Sequence, residues 1–135
     1  MRFHCHLVVA DLVGTTLEDD GAVEEALEGA LGQHGLPWQP AEFARLRGRT
    51  KLDAISVMLE AQGRPADEAR AVLDSFVQHL RAHYRREPLR WVEGAEAAFR
   101  QLAARGVRLA LATGFPAPIR DAIAGRVPWQ DCLSS

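Results

Sequence analysis

The residues best suited to chemistry stand at the ends of two apolar runs. Leu7-Val8-Val9-Ala10 gives way to Asp11, and the chain continues Leu12-Val13-Gly14-Thr15-Thr16. Much later, Val107 to Ala112, apolar except for Arg108, gives way to Thr113-Gly114-Phe115-Pro116. A carboxylate can attack phosphorus and form an aspartyl-phosphate. Hydroxyls and backbone N–H groups can hold the phosphoryl oxygens. Asp11 offers the carboxylate, Thr15 and Thr113 the hydroxyls, and glycine at 14 lets the backbone approach a phosphate closely. Taken alone, Asp11 reads equally well as a turn or helix-cap residue. Its pairing with Thr113-Gly114 after a second strand singles it out, because open parallel sheets bind ligands beyond the carboxyl ends of their strands.

Those two positions need two buried strands side by side. Short continuous apolar runs such as Leu7–Ala10 predict strands covered on both faces. Between them the pattern is helical. Val23, Ala26, Leu27, Ala30 and Leu31 recur at helical spacing, and Gly35-Leu36-Pro37 ends that helix. Pro40 opens a short helix to Arg47. Thr50-Lys51-Leu52-Asp53 looks like a capping box, followed by the face Leu52, Ile55, Met58 and Leu59. Gly63 closes that helix, and Pro65 opens a longer one with the stripe Ala69, Val72, Leu73, Phe76, Val77 and Leu80. A helix from Gly94 to Arg105 faces Ala95, Ala98, Phe99 and Leu102 inward, and Gly106 caps it. A short helix follows near 117–124, and a last strand is expected near Asp131-Cys132-Leu133. The layout predicts an α/β fold, a partial Rossmann-like parallel sheet core with an inserted all-helical cap. The core would be residues 1–18 and 90–135, incomplete, and the cap 19–89.

Composition excludes several classes. Apolar residues make up 47%, so the chain can bury a core. A net charge of −2, with arginines scattered, argues against nucleic acid as a partner. No apolar run approaches the roughly 18 residues of a membrane span, and Met1-Arg2-Phe3-His4-Cys5-His6 does not open a signal peptide. A cytoplasmic location is expected. Cys5 and Cys132 are expected to be buried thiols rather than a disulfide framework. His4 and His6 share a strand face, but two ligands do not make a zinc site.

Together, Leu7 to Thr16 and Leu109 to Gly114 resemble the first two motifs of the haloacid dehalogenase superfamily. The helical block resembles the cap that members insert after the first motif. The resemblance implies a hydrolase for a small phosphorylated or phosphonate compound, with Asp11 as nucleophile and Gly14, Thr15, Thr113 and Gly114 around the phosphoryl group. It also implies Mg²⁺ held by Asp11 and the backbone carbonyl of Val13. In the family's phosphatases an Asp two residues after the nucleophile acts as acid and base; here that residue is Val13. The phosphonoacetaldehyde hydrolase branch also lacks that Asp and uses a cap lysine that forms a Schiff base. Arg47-Gly48-Arg49-Thr50-Lys51-Leu52-Asp53 looks like that branch's segment, with Lys51 in the lysine position. Lys51 is the one lysine among 16 Lys and Arg, and only lysine can act as an amine. It falls at the first turn of a helix, where the dipole opposes a cation. Ala54, Ala22 and Phe115 stand where true phosphonoacetaldehyde hydrolases carry His, Cys and Tyr, which points to a phosphonatase-like relative with a different substrate.

The family's third motif, a Lys or Arg, and its fourth, an acidic pair, have no counterpart before Ser134-Ser135. The chain by itself is therefore expected to be a fragment, inactive or severely impaired. An open sheet edge in such a core invites pairing with another chain, so a homo-dimer is expected. The alternatives are an ordinary Mg²⁺-dependent phosphatase and a non-catalytic remnant that only binds a partner.

Overall fold

Strands β1 (Leu7–Asp11) and β2 (Arg108–Ala112) pair in parallel, from Leu7 beside Arg108 to Asp11 beside Ala112. The coordinates are a computed structural model that describes residues 4–134. Met1-Arg2-Phe3, part of the segment read as no signal peptide, and Ser135, at the end of the expected last strand, lie outside them. The helices are α1 (Ala22–Gln33), α2 (Pro40–Arg45), α3 (Lys51–Ala61), α4 (Ala69–Arg86), α5 (Ala95–Ala104) and α6 (Ala117–Ala124). Short 3₁₀ turns occupy Ala66–Glu68 and Gln130–Cys132. This is an α/β fold with a parallel sheet and helices.

Contacts divide the chain into two compact units, one running to Asp20 and resuming at Tyr84, the other Gly21–His83. In the first, Val8, Ala10, Leu109 and Leu111 point from one sheet face onto Phe99, Leu102, Val127 and Trp129. Phe99 stacks on Trp129 at 5.1 Å, and Trp91 meets Trp129 edge-on at 5.0 Å. The alternation of strand side chains puts Leu7 and Val9 on the opposite face. There they are 47% and 57% exposed. The expectation of strands buried on both faces is therefore corrected: a continuous apolar run does not say whether a second layer covers it. Two smaller corrections go the same way. Ala98 is exposed, and Cys5 is exposed with Cys132 half-buried; both thiols are free.

The expected strand at 131–133 is also corrected. Arg100 donates to the Pro128 carbonyl (2.9 Å) and to Asp131 (3.0 Å), and the Cys132 N–H donates to the Trp129 carbonyl (2.9 Å). These bonds wind 130–132 into a 3₁₀ turn. Only Leu133 is extended, and the Ser134 N–H then donates to the Leu109 carbonyl (2.8 Å).

The insertion leaves and returns along paired backbone. The Val92 N–H donates to the Thr16 carbonyl (2.9 Å), and the Glu18 N–H to the Arg90 carbonyl (2.8 Å). In the second unit, Leu27, Leu31, Ile55, Leu59, Val72 and Leu80 are fully buried. The Thr50 hydroxyl accepts from the Asp53 N–H (3.1 Å), which fixes the start of α3 as its capping pattern predicts. His34 joins Ser75 at 2.9 Å, and Trp38 packs on Phe43 at 5.2 Å. No helix among the described residues is long and apolar enough to cross a membrane.

Candidate active site at the strand ends

Asp11 closes β1, and its register partner Ala112 closes β2, so Thr113 follows directly beside it. The parallel pairing brings Asp11 and Thr113-Gly114 to one end of the sheet. Asp11 is exposed, and its carboxylate has no hydrogen-bond or ion-pair partner among the described residues.

The loop after Asp11 is fixed by its own backbone. The N–H groups of Thr15, Thr16 and Leu17 converge on the Leu12 carbonyl (3.2, 2.9 and 2.9 Å). The Gly14 N–H donates to the Leu17 carbonyl (2.7 Å). Thr16 is buried, and its hydroxyl points at the Asp11 and Leu12 carbonyls (3.0 and 3.3 Å). Gly14 has φ +84°, a conformation other residues adopt only with strain, although a Cβ there would meet nothing within 4 Å. Its glycine is therefore explained by the turn. The amides of Gly14 and Thr15 are already engaged, which leaves Thr15 its exposed hydroxyl as a donor. Sequence reasoning passed over Thr16, whose burial beside the catalytic-type loop makes it the residue that locks the turn. The signal was present in the Gly-Thr-Thr triplet.

Thr113 is half-buried, and its hydroxyl oxygen accepts from the Phe115 N–H (3.1 Å). That bond uses an acceptor and leaves the hydroxyl proton available for an anion. The Gly114 N–H has no backbone hydrogen-bond partner among the described residues. Next to this end, Tyr84 is buried with its ring 6.1 Å from Phe115. Burial, with the Asp20 and Asp19 carboxylates nearby, pushes its phenol above the ordinary range.

For Mg²⁺, the Asp11 carboxylate and the Val13 carbonyl are oxygen donors of the right kind. They amount to two positions of an octahedral shell. No group of three His, Cys, Asp or Glu able to hold a metal occurs among the described residues.

Lys51 belongs to the second unit. It opens α3, and its Nζ lies 5.6 Å from the Phe43 ring centroid, within cation–π range. An open groove of about 500 Å³ on the first unit is lined by Trp91, Val92, Gly94, Glu96, Ala97 and Arg100. It contains none of the sequence-predicted site residues, and Arg100 is engaged by Glu96, Asp131 and Pro128.

The sequence matches the haloacid dehalogenase-like hydrolase family over residues 5–135. The chain belongs to that family. It is 27% identical over 130 residues to the bifunctional riboflavin kinase/FMN phosphatase of Arabidopsis thaliana, covering 94% of this chain and 33% of that protein. Its fold resembles that of CbbY from Rhodobacter sphaeroides, solved with phosphate (TM-score 0.78, 19% identity, 96% of this chain and 61% of that one). It also resembles a haloacid dehalogenase hydrolase from Entamoeba histolytica (TM-score 0.79, 17% identity, 97% and 58%). A CbbY variant has been solved with xylulose-1,5-bisphosphate. This family member therefore spans a third of its curated relative and about three fifths of the solved neighbours.

Proposed function

We propose that this family member takes part in hydrolysis of a small phosphorylated compound, with Asp11 as the nucleophile. The observation that carries the reading is the parallel register of β1 and β2, which sets Asp11 and Thr113 at one sheet end. An Asp11 oxygen attacks phosphorus, the phosphorus–oxygen ester bond breaks, and the departing alkoxide takes a proton from solvent water and leaves as the alcohol. Water then releases inorganic phosphate and restores the carboxylate. The Thr113 hydroxyl, the Gly114 N–H and the Thr15 hydroxyl bind phosphoryl oxygens, and Gly14 shapes the turn that presents them. Asp11 and the Val13 carbonyl would hold Mg²⁺, which when bound neutralises phosphate charge. The phosphate and bisphosphate ligands of CbbY support this substrate class. The second unit serves as the cap in this reading, and the free thiols support a cytoplasmic location.

The test is phosphate release from a panel of small phosphomonoesters by the natural full-length protein. Asp11→Asn should abolish it, and Thr113→Ala should lower kcat about 10²–10³-fold, as loss of one oxyanion donor does. Turnover that survives Asp11→Asn would reject the nucleophile.

A second reading, a phosphonatase-like enzyme, is favoured by Val13, which cannot transfer a proton, and by Lys51 as the one lysine. The Lys51 Nζ would condense with a substrate aldehyde, losing water, and the iminium would take up the electron pair of the breaking carbon–phosphorus bond. Borohydride with a phosphonoaldehyde should then label Lys51. Turnover of that substrate without labelling rejects this reading and leaves the phosphatase.

A further inference from the structure

Helix α4 ends on carbonyls that the helix itself cannot satisfy. Pro88 stands four residues after Tyr84 and has no N–H to give the Tyr84 carbonyl. Arg126 supplies donors instead. Its guanidinium donates through Nη1 to the Tyr84 carbonyl and through Nη2 to the Glu87 carbonyl (2.9 Å). The helix dipole also favours a cation there. Arg126 follows closely on α6: its own N–H donates to the Ile123 carbonyl (2.9 Å), and Ile119 and Ile123 are fully buried. The other end of α6 meets the same turn of α4. Phe115, two residues before α6, has its ring 6.1 Å from that of Tyr84, which is buried. Phe115 is also the residue whose N–H donates to the Thr113 hydroxyl oxygen (3.1 Å). The two turns of α6, about 12 Å, separate these two attachments.

We propose that Arg126 is a positioning residue for phosphoryl binding: by holding the end of α4 it seats the Tyr84 ring against Phe115, and so fixes the direction of the Thr113 hydroxyl. The inference rests on the role proposed above for Thr113. A threonine hydroxyl turns to suit its partners. The Phe115 N–H takes one acceptor site of the Thr113 oxygen, which leaves the proton to point elsewhere, at an anion. That bond holds only while the Phe115 backbone stays in place, and the Tyr84 ring backs it. Without Arg126 the Tyr84 and Glu87 carbonyls lose their donors, the last turn of α4 frays, and Phe115 loses its backing. Arginine suits the task because its planar fork reaches two carbonyls at once, which the single ammonium of lysine does not hold in a fixed geometry. Among the described residues the Arg126 side chain bonds to these two carbonyls alone, so it acts through Tyr84 and Phe115.

Phosphate release by the natural full-length protein tests this, with amide hydrogen exchange alongside. Arg126→Ala should lower kcat about 10–10²-fold, the scale of a misplaced rather than a missing group, with KM changed less than kcat. A double-mutant cycle then asks how the loss arises. In a Thr113→Ala background Arg126→Ala should cost nothing further, because Thr113 is the group through which it acts. The Phe115 amide should exchange at least about tenfold faster in Arg126→Ala while the β2 amides keep their protection, which separates a loosened turn from an unfolded sheet. Arg126→Lys keeps the charge without the fork and should fall between wild type and Arg126→Ala in both readouts. It carries the same cycle if Arg126→Ala does not fold. An equal loss of kcat in both backgrounds, or unchanged exchange at Phe115, overturns the positioning role. Turnover indifferent to Thr113→Ala overturns the phosphoryl contact of Thr113 itself, and the inference with it, whatever the exchange shows.

Discussion

Trp129 separates two effects that pull in opposite directions. It is fully buried in the layer beneath β2, between Phe99 and Trp91, and packs in the same cluster as Leu109. Its indole Nε1 has no hydrogen-bond partner among the described residues. Trp129→Ala empties the largest fully buried side chain and should cost about 3–5 kcal/mol. Trp129→Phe removes roughly one or two methylene equivalents of apolar burial, near 0.8 kcal/mol each, with a small cavity. It also removes a buried unpaired donor, whose desolvation costs about 1–3 kcal/mol. The two nearly cancel, so Trp129→Phe should lie within about 1 kcal/mol of wild type while retaining its stack on Phe99. Urea unfolding followed by far-UV circular dichroism measures both, with the slope checked for constancy. A Trp129→Phe loss approaching that of Trp129→Ala would mean that the N–H is satisfied after all. A small loss for Trp129→Ala would mean that this cluster does not hold the sheet that carries Asp11 and Thr113.

Thr50→Ala removes the cap on the Asp53 N–H and should cost about 1 kcal/mol, read as a lower urea midpoint. Thr50→Ser should recover most of it. Gly14→Ala forces a left-handed φ on a residue with a Cβ and should cost roughly 1–2 kcal/mol, although space for the methyl is open. Tyr84 is the one tyrosine, so phenolate absorbance reports it alone. Its folded pKa is raised above the unfolded 10.0, so the folded state holds the proton longer. That stability is full below pH 10 and is lost as pH rises above it. The phenolate signal should therefore appear only with alkaline unfolding, and Tyr84→Phe should flatten that part of the pH profile. A phenolate signal near pH 10 in the folded protein would remove the basis for both.

The helices were legible because their ends carry specific chemistry. Thr50 predicted a cap and makes one; Gly35, Gly63 and Gly106 predicted stops and stand there with positive φ. The strand ends that bear Asp11 and Thr113 were legible from where apolar runs stop. What lies over a strand was not. Leu7 and Val9 look buried from sequence because a run of apolar residues carries no information about whether a second layer exists. The turn at 130–132 was missed because Arg100, some thirty residues earlier, imposes it through Pro128 and Asp131. At the site, Gly14 was expected to bring its backbone close to a phosphate and Thr15 to offer its hydroxyl, and the N–H groups of both residues lie in that loop. The loop spends those N–H groups on Leu17 and Leu12, a fact set by turn geometry rather than residue type.

The most direct test of the nucleophile is to acid-quench the natural full-length protein during turnover of a phosphomonoester and locate the phosphoryl group by peptide mass spectrometry. A phosphoryl group on Asp11, absent in Asp11→Asn, is the predicted result. Turnover with no phosphoryl group on the Asp11 peptide, and undiminished in Asp11→Asn, would contradict it.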